Sequence, residues 1–124
     1  MRILIVDDDP LIREVMQAAL ESKGHTVSAA SGGAEAIALA ESSISNQAPF
    51  DIVITDVGMP RMDGFQLAGL LKQKDSALPI IALTGSACSG PAEARNSVDV
   101  ILEKPPRLPE LWAALSKCAA LRSA

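Results

Sequence analysis

The sequence predicts an α/β protein: a doubly wound, five-stranded parallel sheet in the order 2-1-3-4-5, flanked by five helices of which the fourth is short. Three observations predict it. Short β-branched apolar runs recur along the 124 residues without the polar alternation of a half-exposed strand, which marks strands buried on both faces. Stretches with helical spacing separate them in the pattern βαβαβαβαβα, and that alternation means a parallel sheet covered by helices on both sides. Right-handed crossovers then favour the 2-1-3-4-5 order.

The first run, Ile3-Leu4-Ile5-Val6, leads into Asp7-Asp8-Asp9. Pro10 suits a first helical turn, where a missing N–H costs nothing, and Asp9 suits the N-cap before it. Leu11, Ile12, Val15, Met16, Ala19 and Leu20 recur at helical spacing as one apolar stripe, and Gly24 stands where a helix-ending glycine belongs. A second strand is expected over 26–29 and a second helix over about 33–42, with Ala36, Ile37 and Ala40 inward. A polar loop through Ser45, Asn46, Gln47 and Pro49 leads to Ile52-Val53-Ile54-Thr55 and Asp56. Asp63 caps a third helix that runs to about Lys74. The fourth run, Ile80-Ile81-Ala82-Leu83, ends in Thr84, and the loop-like segment after it leaves space only for a short helix over 92–96. Val100-Ile101-Leu102 form the last strand, followed by Glu103 and Lys104-Pro105. Leu108, Leu111, Trp112, Leu115 and Ala119 then make one helical face, with Pro109 in its first turn.

Composition bounds the answer. Hydrophobic residues form 48% of the chain and aromatic ones 2%, so the core is expected to be aliphatic and to serve a single domain spanning 1–124. A formal charge of −4 argues against direct binding to nucleic acid or an anionic membrane. The apolar start after Arg2 is too short for a signal-peptide core, and no apolar run is long enough to span a bilayer. Cys88 and Cys118 lie far apart with no histidine at ligand spacing, so they read as ordinary thiols, and the expected compartment is the cytoplasm. His25, the lone histidine, and Trp112 read as structural residues.

In this topology ligands bind beyond the strand carboxyl ends, beside the point where strand order reverses. That point lies between the first and third strands, where Asp7, Asp8 and Asp56 fall. Bare carboxylates raise one another's pKa, and a hard divalent cation such as Mg²⁺, which keeps several waters beside one or two carboxylates, resolves the repulsion. Asp8 and Asp56 are the expected direct ligands, Asp7 acts through water, and the backbone carbonyl of Gly58 supplies another oxygen. Lys104 and Thr84 arrive from neighbouring strand ends. Singly, each is an ordinary surface lysine or strand-end threonine; beside the aspartates they complete a phosphoryl site of metal, ammonium and hydroxyl.

The segments Ile3-Leu4-Ile5-Val6-Asp7-Asp8-Asp9-Pro10, Asp56-Val57-Gly58-Met59-Pro60-Arg61-Met62-Asp63-Gly64, Leu83-Thr84 and Lys104-Pro105 resemble the receiver domains of response regulators in two-component signalling. The likeness covers nearly the whole chain and implies the flavodoxin-like fold of chemotaxis regulators. It implies that Asp56 is the phosphoacceptor, that a histidine kinase or phosphotransfer protein donates the phosphoryl group, that Asp7 and Asp8 hold Mg²⁺, and that Thr84 and Lys104 contact the phosphoryl oxygens. The added charge would draw Thr84 and Lys104 inward and switch binding of a downstream effector protein. The resemblance further implies a monomer or weak dimer that promotes its own phosphotransfer and dephosphorylation, not an enzyme turning over an external substrate.

The sequence departs from the family pattern at the expected readout face. Ile101 stands where Tyr or Phe is usual, Pro106 follows Lys104-Pro105 where Phe is usual, and the stretch from 85 to 97 is short and rich in small residues. Gly58 and Ser86 stand at positions that tune dephosphorylation, and neither would obstruct water, so a short-lived phosphoryl state is expected. A receiver-like interaction module that works without phosphorylation is the main alternative. An aspartate-nucleophile phosphatase is weaker, because Leu11 replaces the expected hydroxyl residue. A flavin-mononucleotide module is also weaker, because three aspartates would repel its phosphate and no Ser/Thr-rich phosphate loop follows the first strand.

Overall fold

Strands β1 (Arg2–Val6), β2 (Thr26–Ala30), β3 (Ile52–Asp56), β4 (Ile80–Thr84) and β5 (Val100–Glu103) build one sheet in the order β2-β1-β3-β4-β5. Every neighbouring pair is parallel. Helices α1 (Pro10–Glu21), α2 (Gly33–Ser45), α3 (Gly64–Lys74) and α4 (Leu108–Ser123) cover it. The computed structural model describes residues 1–59, 61–85, 97–104 and 106–123. The short helix expected over 92–96, together with Ser86, Cys88 and Pro105, lies outside them, so four of the five predicted helices are observed.

The strand period of two divides the core into two layers. Leu4, Val6, Val53 and Ile80 face Ala36, Ala40, Leu67, Ala68 and Leu71 of α2 and α3. Ile3, Ile5, Ile52, Ile54, Ile81 and Leu83 face Met16 and Leu20 of α1 and Leu111, Ala114, Leu115 and Cys118 of α4. Each large aliphatic side chain removed from water in this way contributes about 1.5–3 kcal/mol. Burial on both faces is why β1, β3 and β4 lack alternation; at the sheet edge β5 departs from the expectation, with Ile101 and Glu103 exposed and Val100 and Leu102 half-buried.

The helix ends follow the side chains written for them. Asp9 accepts the Leu11 N–H at 2.9 Å and caps α1, and Gly24 takes the left-handed turn after it at φ 86°. Asp63 accepts the Gln66 N–H at 2.8 Å while the Gln66 side chain accepts the Asp63 N–H at 3.1 Å, a reciprocal capping box at the start of α3.

Three expectations need correction. Helix α2 continues to Ser45, because Ser42 and Ser43 are tolerated in a helix and the Ser43 hydroxyl bonds back to Ala40 O at 2.7 Å. On α1, Leu11 and Val15 are exposed (65% and 61%), and Met16 and Leu20 are the residues of the stripe buried against the sheet. On α4, Leu108 is 49% exposed, and the buried face is Leu111, Ala114, Leu115 and Cys118. Trp112 packs partly against that layer with the Lys23 ammonium 5.5 Å from its ring centroid. No described helix is long and apolar enough to cross a membrane.

Candidate functional site

Asp7, Asp56 and Lys104 meet because of strand parity. Asp7 lies two residues beyond Ile5, Asp56 two beyond Ile54 and Lys104 two beyond Leu102, all on the α1/α4 side. The ladders hold past the strand ends: Asp7 N–H donates to Ala30 O at 3.1 Å and Lys104 N–H donates to Thr84 O at 2.8 Å. The Lys104 ammonium therefore reaches Asp7 Oδ2 at 2.9 Å and Asp56 Oδ2 at 3.0 Å.

Asp8 completes the acidic group. One carboxylate oxygen from each of Asp7, Asp8 and Asp56 lies within 4.8 Å of the others. Asp7 and Asp56 are buried (1% and 6% exposed) while Asp8 is open to solvent, so the group has two fixed walls and one accessible ligand. Asp56 Oδ1 accepts the Gly58 N–H at 3.2 Å, and Asp7 Oδ1 accepts the Asp9 N–H at 2.9 Å. Asp7 Oδ2 is enclosed, and the Lys104 ammonium at 2.9 Å is the charge that faces it. Burial works to lower the Lys104 pKa, but its bonds to Asp7 and Asp56 and their charges outweigh that, and it stands above the ordinary lysine value.

Three carboxylates against one ammonium leave the pocket short of positive charge. All the donors are hard oxygens. That set fits a small divalent cation such as Mg²⁺.

Thr84 ends β4, half-buried beside β3, and its carbonyl carries the Lys104 N–H. Gly58 follows Asp56 in a tight turn in which Met59 N–H donates to Val57 O at 3.1 Å, with open space where a side chain would stand. His25 lies before β2, at the opposite end of the sheet, facing the Met1 amino group at 3.1 Å.

Sequence reasoning missed two neighbours. Arg13 Nη1 donates to Asp7 O at 2.6 Å and so pins the β1–α1 turn from one helical turn further on. Thr55, fully buried, donates its hydroxyl to Asp56 O at 3.1 Å. A basic residue six positions after Asp7 and a polar residue inside an aliphatic strand were the available signals.

An acidic pocket at the switch point of a parallel sheet, with a lysine bridging the carboxylates of its two central strands, defines a receiver-type domain. The chain belongs to the response regulator receiver domain family, whose pattern matches residues 3–116. It is 39% identical over 115 residues to response regulator MprA of Mycobacterium sp. (strain KMS), covering 91% of this chain and 48% of that protein. The chain thus spans about half the length of MprA. Among solved structures it resembles the response regulator TrrA of Thermotoga maritima in complex with Mg²⁺–BeF, at 30% identity and a TM-score of 0.81, covering 94% of this chain and 97% of that one. TrrA has also been solved in complex with the histidine kinase ThkA, and that copy is 31% identical with a TM-score of 0.81 over 94% of this chain and 97% of that one.

Proposed function

We propose that this chain accepts a phosphoryl group on Asp56 from the phosphohistidine of a histidine kinase or phosphotransfer protein, with Mg²⁺ as cofactor, and thereby switches binding to an effector protein. The observation that carries the reading is Asp56 itself: a buried carboxylate at the switch point, set among Asp7, Asp8 and Lys104. Asp7, Asp8, Asp56 and the Gly58 carbonyl would hold the ion. Bound there, Mg²⁺ supplies charge neutralisation for the phosphoryl oxygens.

The chain's own groups do the remainder. An Asp56 carboxylate oxygen attacks phosphorus as the donor's N–P bond breaks, giving an acyl phosphate and a free imidazole. Lys104, released from Asp56 Oδ2 as that carboxylate loses its charge, turns to a phosphoryl oxygen, and the Thr84 hydroxyl donates to another. The pocket brings the carboxylates into one place before the donor arrives, so most of the gain is positioning. This makes the domain a participant in its own phosphorylation and hydrolysis, acting in the cytoplasm, and not a turnover enzyme. The experiment is intact-mass analysis after incubation with acetyl phosphate and Mg²⁺. One added phosphoryl group, lost in Asp56→Asn and in EDTA, supports the reading. An unchanged wild-type mass, with a known receiver labelled in parallel, supports the interaction-module alternative.

A further inference from the structure

Two features converge on the backbone carbonyl of Asp56, and neither touches the carboxylate group. Thr55 is the fully buried polar residue of β3, and its Oγ1 donates to that carbonyl at 3.1 Å. From the α3 side, Gly64 packs so closely that a Cβ would lie 2.5 Å from the same oxygen, 3.0 Å from Val57 Cα and 3.1 Å from Asp56 C. The obstructing atoms are main chain, which cannot rotate away as a side chain can. At Gly33, by contrast, the atoms nearest to an added Cβ all belong to the side chain of Met62.

The need at Gly64 is for space. Its φ is not in the left-handed region, unlike that of Gly24, and helix propensity alone favours alanine over glycine in a helix. The close approach also makes a connection: Gly64 N–H donates to Val57 O at 3.0 Å, the same oxygen that takes the Met59 N–H. The capping box at Asp63 and Gln66 fixes where α3 begins. The start of α3 is therefore fastened to the 56–59 turn.

We propose that Gly64 and Thr55 are positioning residues for phosphorylation, which hold the Asp56 main chain so that the Asp56 carboxylate and the Gly58 carbonyl converge on one point. The inference rests on Asp56 being the phosphoacceptor. An alanine methyl at Gly64 must push the strand end or the turn by a sizeable fraction of an ångström. Displacements near 1 Å cost reacting groups up to about a hundredfold in rate.

The test compares purified wild type with Gly64→Ala, Thr55→Val, Thr55→Ser and the control Gly69→Ala, which lies in the same helix where a Cβ makes only an ordinary contact, 3.7 Å from Ser97 Oγ. Three readouts are taken: Mg²⁺ affinity by calorimetry, the acetyl phosphate labelling rate at saturating Mg²⁺, and the amide resonances of Val57, Gly58 and Met59 in EDTA. Gly64→Ala is expected to bind Mg²⁺ at least about fivefold more weakly, to label at least about tenfold more slowly and to shift all three resonances. Gly69→Ala should match wild type. Thr55→Val should slow labelling at least about threefold, and Thr55→Ser should restore it. A folded Gly64→Ala protein with wild-type affinity, rate and resonances overturns the inference. Should Gly64→Ala not fold, Thr55→Val labelling at the wild-type rate overturns it. If wild type itself neither labels nor binds Mg²⁺, the phosphoacceptor reading has failed, an outcome distinct from a wild type that works alongside unaffected variants.

Discussion

The ammonium of Lys104 lies 3.0 Å from Asp56 Oδ2, so the cation of the pocket rests on the carboxylate proposed to attack phosphorus. The same ammonium is 2.9 Å from Asp7 Oδ2, which ties β5 to β1 across the ends of β4 and β3. In this resting arrangement the lysine competes with any metal for the same oxygens, yet it is the group placed to meet a phosphoryl oxygen.

That double role predicts a split. Lys104→Gln should bind Mg²⁺ at least as tightly as wild type, because a competing positive charge is gone. Its labelling by acetyl phosphate should fall by about tenfold or more, because an electrostatic contact to the transferred group is lost. Calorimetry and a labelling time course on the same preparation read the two effects separately.

The second prediction concerns alkaline pH. The folded pKa of Lys104 is raised, so its ion pairs contribute stability that is fully present below the ordinary lysine value of ~10.4 and is lost as pH rises through the higher folded value. Burial pushes the Cys118 thiol up to about 11, with the Asp99 charge adding to it, and this contributes a loss in the same direction beginning at lower pH. Urea unfolding of wild type and Lys104→Met between neutral and strongly alkaline pH isolates the lysine, since Cys118 is common to both. The wild-type advantage should shrink at the top of that range. The chain has no tyrosine to confuse the titration.

Metal should stabilise the fold through the carboxylates. A ligand that binds only the native state at one hundred times its Kd adds about 2.7 kcal/mol. Thermal unfolding with and without Mg²⁺ should show that gain in wild type. Asp8→Asn should lose most of it, because Asp8 is the solvent-facing member of the group. EDTA should abolish it.

The one-sided burial of α1 predicts unequal costs along one apolar stripe. Leu20→Ala should cost about 2–5 kcal/mol, since Leu20 is fully buried against the sheet. Val15→Ser, on the same helix but 61% exposed, should stay within about 0.5 kcal/mol. Urea denaturation of both variants checks the division.

Much of this was legible in the sequence. The central strands β1, β3 and β4 were readable because short, unalternated β-branched runs suit a doubly buried strand, and the parallel order followed from chain geometry. Asp9, Gly24 and Asp63 marked helix ends through local chemistry, which a sequence states directly. The convergence of Asp7, Asp8, Asp56 and Lys104 followed from the strand carboxyl ends meeting at the switch point. What could not be read was which part of an apolar stripe the neighbouring sheet would cover: Leu11, Val15 and Leu108 look identical to core residues until the seating of each helix on the sheet is known. The bond from Arg13 to Asp7 O and the packing of Gly64 on Asp56 O depend on backbone positions across a turn, and spacing along the chain does not encode them.

Borohydride trapping with tandem mass spectrometry would locate the phosphoacceptor itself. An acyl phosphate on an aspartate is reduced by borohydride to homoserine, which marks the acceptor by position. After acetyl phosphate and Mg²⁺, homoserine is expected at position 56, and it should be absent when EDTA replaces Mg²⁺. Homoserine at another position, or none in a sample whose mass shows a phosphoryl group, would refute phosphotransfer to Asp56.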